Sequence, residues 1–352
     1  MPEPAEAAEA AASPEPAELP ASPEPLTRQW HAPFPVDVRT VLSVHRRGPR
    51  DPAFRIDPAG TVWRTSLTPD GPGTLRVAAR RPAAAGPDAA APRAAAGPLA
   101  DAPGADAQGV LVTAMAWGPG APWLLETLPS MLGAQDDAEG FAPAHPLLRE
   151  MARRHRGARV GRSGRVLEAL VPAVLEQKVV SLEAHRAWRR LLLRFGSPAP
   201  GPAPAGMQVF PAPATWAATP SWEWHTAGVE AVRARTIAGA ARVSGRLEEI
   251  LAMACADADR RLRALPGIGP WTSAEVRQRA CGDADAVTVG DYHLPAAVGW
   301  ALAGRAVDDA GMLRLLAPYA GHRHRATRLV ELSGVRPPRH GPRLAARDYR
   351  AI

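Results

Sequence analysis

At 352 residues with 46% apolar side chains, the chain can bury one large core or two modest ones, so two domains are the default expectation. Its two cysteines, Cys255 and Cys281, are too few for a four-cysteine zinc site, an iron-sulfur cluster or a disulfide framework, and a reducing cytoplasm is the expected setting. The formal charge is +7. No apolar run approaches the ~20 residues that span a bilayer, and the N-terminus lacks a basic-then-apolar export pattern, so no membrane partner is expected.

Residues 1–30 read as a disordered acidic tail, because the first 25 hold six glutamates, repeated prolines and no basic residue. The rest of the chain therefore carries +13, and residues 149–194 alone hold twelve basic against four acidic side chains. That is the electrostatic footprint of a protein that meets phosphates, although a solvated surface of arginine-biased composition has the same signature.

From residue 31 to 140 the apolar pattern is short and strand-like. "VDVRTVLSV" (36–44), "GTVWRTSL" (60–67), "GTLRVAAR" (73–80) and "GVLVTAMAW" (109–117) alternate and are separated by Gly, Pro and Asp, which predicts a small antiparallel sheet. Residues 82–108, with Leu99 as their only large apolar side chain, form a low-complexity insertion, and "SPAPGPAPAG" (197–206) reads as a shorter linker. From about residue 141 the period lengthens to three and four. Leu167, Leu170, Val171, Val174 and Leu175 mark one helix, with Ser163 as its candidate cap, and Ala184, Trp188, Leu191, Leu192 and Phe195 mark the next. Helices then continue to residue 335, and 336–352 form a basic tail. Strands first and helices afterwards predict an α+β fold with segregated domains. "SWEWH" (221–225) reads as packing, and "GHRHRATRLVEL" as a basic helix near a nucleic acid, its two histidines lacking the acidic partner of a metal site.

"LPGIGPWTSAEV" (265–276) interrupts two helices with a tight hairpin. Asp257 can cap the helix that ends there, Gly267 and Gly269 permit conformations that a side chain forbids, and Pro270 suits the first turn of the following helix. The bare N–H groups of Gly267 and Gly269, with those opening the second helix, can approach a phosphate closely and without base preference.

"LPGIGPWTSAEV" followed by "VTVGDYHLP" resembles the signature of the helix-hairpin-helix DNA glycosylase superfamily, and within it the 3-methyladenine DNA glycosylase II branch. The resemblance covers roughly residues 146–335, including "LVPAVLEQKVVS". It implies a helical glycosylase domain at 141–335 and a monomer acting on double-stranded DNA that contains alkylated bases. It implies hydrolytic removal of alkylated purines in base-excision repair, with no required cofactor; a protein of the same fold that binds DNA lesions without chemistry is the alternative.

The resemblance assigns roles residue by residue. Asp291 matches the catalytic aspartate, whose carboxylate would stabilise the positive charge that develops on the sugar; capping the following helix also suits its position. Trp271 matches the aromatic that walls the base pocket, where bifunctional relatives carry a nucleophilic lysine, so the implied enzyme attacks with water alone. Glu275, one turn on, departs from the aromatic found there in relatives and reads either as a pocket carboxylate for a cationic alkylpurine or as a surface glutamate. Gln177 and Lys178, the chain's single lysine, match the loop that fills the gap left by a flipped nucleotide, and Gln177 is assigned to the base pocket as well; a solvated helix-end lysine is the other reading for Lys178. Hairpins of this kind also hold a monovalent cation on backbone carbonyls, here those of Leu265 and Ile268.

Overall fold

The computed structural model describes residues 24–80 and 109–338. The low-complexity insertion at 82–108, most of the acidic tail and the basic tail beyond residue 338 lie outside the described residues. The architecture is α+β, an antiparallel sheet followed by helices.

Five strands, β1 (Leu26–Ala32), β2 (Phe54–Ile56), β3 (Val62–Thr68), β4 (Gly71–Arg80) and β5 (Val110–Trp117), form one sheet in the order β1-β5-β4-β3-β2. Every neighbouring pair is antiparallel. One face is covered by α1 (Val38–Leu42) and α2 (Ala121–Met131), and Leu42, Leu75, Val112, Leu124 and Leu128 are fully buried between them. On the other face Trp63 and Trp117 stack with centroids 5.7 Å apart, and Met207 packs against them.

Three readings of this region are corrected. Residues 36–44 are not a strand. Asp37 accepts the Thr40 N–H at 3.0 Å and caps α1, and Val38, Val41 and Leu42 bury at helical spacing. The tail assigned to 1–30 is too long, since β1 pairs with β5 from Leu26 onward. "SPAPGPAPAG" is a built loop between β6 (Ser197–Pro198) and β7 (Gln208–Val209), which pair with each other. Gly201 lies so close to Trp117 that a Cβ there would overlap the indole. Proline-rich composition marks chain that cannot form its own core, but here the sheet's tryptophans supply one.

The remaining helices are α3 (Pro146–Arg154), α4 (Val166–Leu175), α5 (Ser181–Phe195), α6 (Pro213–Ala218), α7 (Ser221–Ala227), α8 (Ala231–Arg242), α9 (Ser244–Glu248), α10 (Cys255–Arg263), α11 (Pro270–Val276), α12 (Leu294–Ala303), α13 (Asp309–Leu316) and α14 (Arg323–Leu332). They form two lobes. The first runs from α4 to α11 around a core that includes Leu170, Leu191, Trp216, Ile237 and Leu262. The second packs α3 against α12, α13 and α14 through Leu148, Met151, Val298, Met312 and Leu316, so α3 joins the end of the chain across the whole first lobe. Trp224 of α7 is buried and stacks on Trp216, as packing predicts, whereas Trp222 is 67% exposed.

Helix α4 is buried nearly all round, and polar groups on its ends fix its neighbours. Glu168 binds Arg64 of β3 at 2.6 Å and accepts the Ser66 hydroxyl at 2.6 Å, and Glu176 pairs with Arg47 at 3.1 Å. The Trp188 indole of α5 donates to Asp51 at 2.8 Å. These bonds dock the sheet onto the first lobe, and removing one partner of such a buried pair costs about 3–5 kcal/mol because the other charge is stranded.

The caps read from sequence are replaced by others. The Glu248 carboxylate, from α9, accepts the Val166 and Leu167 N–H groups at 2.9 and 3.1 Å and caps α4, while Ser163 accepts only from Arg165. Helix α10 starts at Cys255, which places Asp257 inside its first turn, paired with Arg260, where it complements the helix dipole. Glu248→Ala should therefore lower the unfolding free energy by about 1–2 kcal/mol in urea titration, and Ser163→Ala by less than half of that.

Candidate active site

The hairpin between α10 and α11 is closed by the Ile268 N–H on the Leu265 carbonyl at 3.1 Å, with Gly267 in the left-handed region at φ +86°. Pro266 followed by a glycine of positive φ is the chemistry of a type II turn. A Cβ on Gly267 would also overlap the Thr236 hydroxyl of α8, so the residue is fixed twice over. Gly269 differs from its reading. Its φ of −95° suits any residue, and a Cβ there meets nothing within 4 Å. Its missing side chain relieves no strain; it leaves the outer face of the hairpin open, beside the N–H groups that begin α11.

Gln177 holds the hairpin from behind. Its amide donates to the Gly267 carbonyl at 2.9 Å and to the Thr272 hydroxyl at 2.8 Å, which ties the loop after α4 to the start of α11. Lys178, next along, is exposed and stands at φ +54°, the one non-glycine residue of positive φ among those described. Such a backbone costs about 1–3 kcal/mol unless its surroundings hold it.

Asp291 follows Gly290, whose positive φ turns the chain and whose N–H is held by Asp309 at 3.1 Å. One carboxylate oxygen of Asp291 accepts the His293 and Leu294 N–H groups at 2.7 and 2.8 Å, and the other accepts the Trp271 indole N–H at 3.0 Å. Capping α12 and facing the hairpin are thus one arrangement. The bond to Trp271 spans the two lobes, because α11 belongs to the first and α12 to the second.

Beside Asp291 opens a cleft of about 750 Å³ lined by all three units: Val41 and Val44 from the sheet domain, Glu275 and Arg279 from the first lobe, and Asp291 and Arg328 from the second. Trp271 and Gln177 are not among its lining residues. Glu275 is only 9% exposed, so it is no surface glutamate. Burial pushes its carboxyl above the usual range, against the opposing pull of Arg279, which binds it at 2.7 Å. Arg279 also donates to the Val44 carbonyl at 2.9 Å and so joins the π-helical stretch after α11 to the sheet domain. Sequence reasoning passed over Arg279, although its spacing of four from Glu275 is the helical acid-base register.

The "GHRHR" segment turns largely inward. His324 is buried and held neutral, its pKa well below the ordinary histidine value through burial and the nearby Arg328, Arg279 and Arg325. Arg325 is consumed by Asp136. Arg328 reaches the cleft paired with Glu331. Among the described residues no three His, Cys, Asp or Glu side chains are grouped to hold a metal, and no helix is long and apolar enough to cross a membrane.

No protein-family model and no curated protein gives a match to this sequence. Solved structures do. The chain is similar to the 3-methyladenine DNA-glycosylase of Archaeoglobus fulgidus, with TM-score 0.64 and 16% identity over 87% of this chain and 98% of that one. It is similar also to the 8-oxoguanine glycosylase/lyase of Clostridium acetobutylicum in complex with double-stranded DNA, with TM-score 0.61 and 10% identity over 84% and 91%. MBOgg1 in complex with a low-affinity DNA ligand gives TM-score 0.62 and 14% identity over 88% and 95%. At these identities the likeness establishes the fold, which is that of these DNA glycosylases over nearly their whole length.

The two hairpin glycines should separate in experiment. Gly267→Ala should cost stability, about 1–3 kcal/mol in denaturant titration. Gly269→Ala should leave stability within about 0.5 kcal/mol of the parent in the same titration.

Proposed function

We propose that the protein is a monofunctional DNA glycosylase that flips an alkylated purine into the cleft and hydrolyses its N-glycosidic bond. The observation that carries this reading is the placing of Asp291: an oriented carboxylate at the edge of a cleft with ample room for a base, tied through Trp271 to a hairpin whose outer face is bare backbone.

The chemistry follows from those positions. The open hairpin and the first N–H groups of α11 hold a phosphate beside the flipped nucleotide, with no contact to any base. Cleavage leaves positive charge on the sugar, and the Asp291 carboxylate, fixed by three N–H donors, meets that charge without having to reorganise. The same carboxylate orients the water that attacks the anomeric carbon. A free base and an abasic site are the products. Trp271 serves this step through its N–H, and its ring stands where a lyase would carry its amine. The chain's one lysine, Lys178, lies instead in the loop after α4, where its left-handed backbone projects the side chain outward. From there its stem can enter the minor groove and its tip reach a phosphate. Tyr292, next to Asp291 in the chain, is exposed and offers an aromatic face to a flanking nucleotide.

No cofactor enters the reaction. The carbonyls of Leu265 and Ile268 are where a monovalent cation would rest between hairpin and phosphate, and the Leu265 oxygen would share itself between that ion and the Ile268 N–H. Work on DNA as a monomer in the cytoplasm completes the reading.

Incubated with methylated duplex DNA, the protein should release free bases and leave alkali-labile sites, with no strand break before alkali and no adduct trapped by borohydride. Asp291→Asn should reduce single-turnover release by at least about a thousandfold while changing duplex affinity less than about threefold. Full activity in that variant refutes the mechanism.

A further inference from the structure

The ion pair of Glu275 and Arg279, which lines the cleft, is incompletely satisfied. Arg279 Nη1 is spent on Glu275, at 2.7 Å to Oε2 and 3.2 Å to the backbone carbonyl, and Nε is spent on Val44. Glu275 Oε1 and Arg279 Nη2 have no protein partner among the described residues, and both side chains line the cleft beside Asp291. Glu275 is nine-tenths buried and the Arg279 side chain is 16% exposed, so only a small part of each remains open to the cleft. Groups open in this way within a binding cleft are available to hydrogen-bond a ligand. One hydrogen-bond acceptor and one donor thus belong to two ion-paired residues four apart on one helical segment. A ligand edge that pairs with both must carry an N–H next to a ring nitrogen or carbonyl oxygen.

We propose that Glu275 and Arg279 form the base-reading element of this site and select purines that keep an N–H donor beside an acceptor on one edge, rejecting adducts in which that donor has been closed into a ring. This rests on the glycosylase reading above and adds to it a substrate class. Asp291 breaks the bond, and the pair decides which base is admitted. The guanine edge of 7-methylguanine offers N1–H and O6. Ethenoadenine, whose exocyclic nitrogen and N1 are bridged, offers acceptors only, so its entry strands the Glu275 oxygen against another acceptor. A site built to hydrogen-bond a donor rejects the analogue that lacks it far more strongly than an apolar pocket rejects a misfit of shape.

The test measures single-turnover release of 7-methylguanine and of ethenoadenine from otherwise identical duplexes, each rate divided by that of spontaneous loss. The wild-type protein should favour 7-methylguanine by at least about 100-fold. Glu275→Gln keeps an oxygen for Arg279 and turns an amide NH2 to the cleft, where it repels N–H donors and meets acceptors. The gap should then shrink by about tenfold or more, through slower release of 7-methylguanine. Equal enhancement of the two bases by the wild-type protein overturns the proposal without need of the variant. A gap unchanged in Glu275→Gln overturns it too and returns the pair to a purely structural role, the glycosylase reading standing. Release of neither base by the wild-type protein sinks both readings together.

Discussion

The hydrogen bond from the Trp271 indole to Asp291 is the constraint on which the site depends. It joins the first turn of α11 to the N-terminus of α12, and so fixes a carboxylate of one lobe against the hairpin of the other. Neither half is useful alone. In the proposed reaction, a hairpin without the carboxylate would hold a strand but do nothing to it, and a carboxylate that merely capped a helix would have no strand to act upon. The three N–H donors leave Asp291 little rotational freedom, and preorganisation of that kind is where most electrostatic catalysis originates.

Around this bond the structure is wired by a few buried charges rather than by apolar contact alone. Arg279 links the first lobe to the sheet domain at Val44, Glu168 and Glu176 receive Arg64 and Arg47 from that domain, and Asp136 receives Arg325 from the last helix. The cleft lies where these three units meet, which explains why its lining is drawn from residues as distant in sequence as Val44 and Arg328. Much of the arginine excess that suggests a phosphate-binding surface is thus employed inside. Arg159, for one, stacks 3.8 Å from the Phe34 ring and bonds the Gly133 carbonyl. Charge counting overstates the surface available to a polyanion for this reason.

The legible parts of the sequence were those governed by local chemistry. The turn at Pro266 and Gly267, the apolar register of α4 and α5, and an aspartate at the head of α12 all follow from steric and capping rules acting over a few residues. What escaped notice depended on partners far along the chain. Glu248 caps a helix eighty residues before it, α3 packs with helices beyond the first lobe, and the proline-rich stretch at 197–206 gains order from the tryptophans of the sheet. Glu275 illustrates the boundary: its position on the face of Trp271 and its spacing of four from Arg279 are local, but its burial and the bond from Arg279 to the Val44 carbonyl of the sheet domain are not.

In the proposed reaction, a negative charge at residue 291 meets positive charge on the sugar. Duplexes that carry a cationic pyrrolidine or a neutral tetrahydrofuran in place of the damaged nucleotide are close in shape and differ in ring charge, and their dissociation constants test it directly. The account predicts that the cationic analogue binds at least about tenfold more tightly and that Asp291→Asn erases the difference. Equal affinity for the two in the wild-type protein, or a preference that survives the substitution, would contradict it.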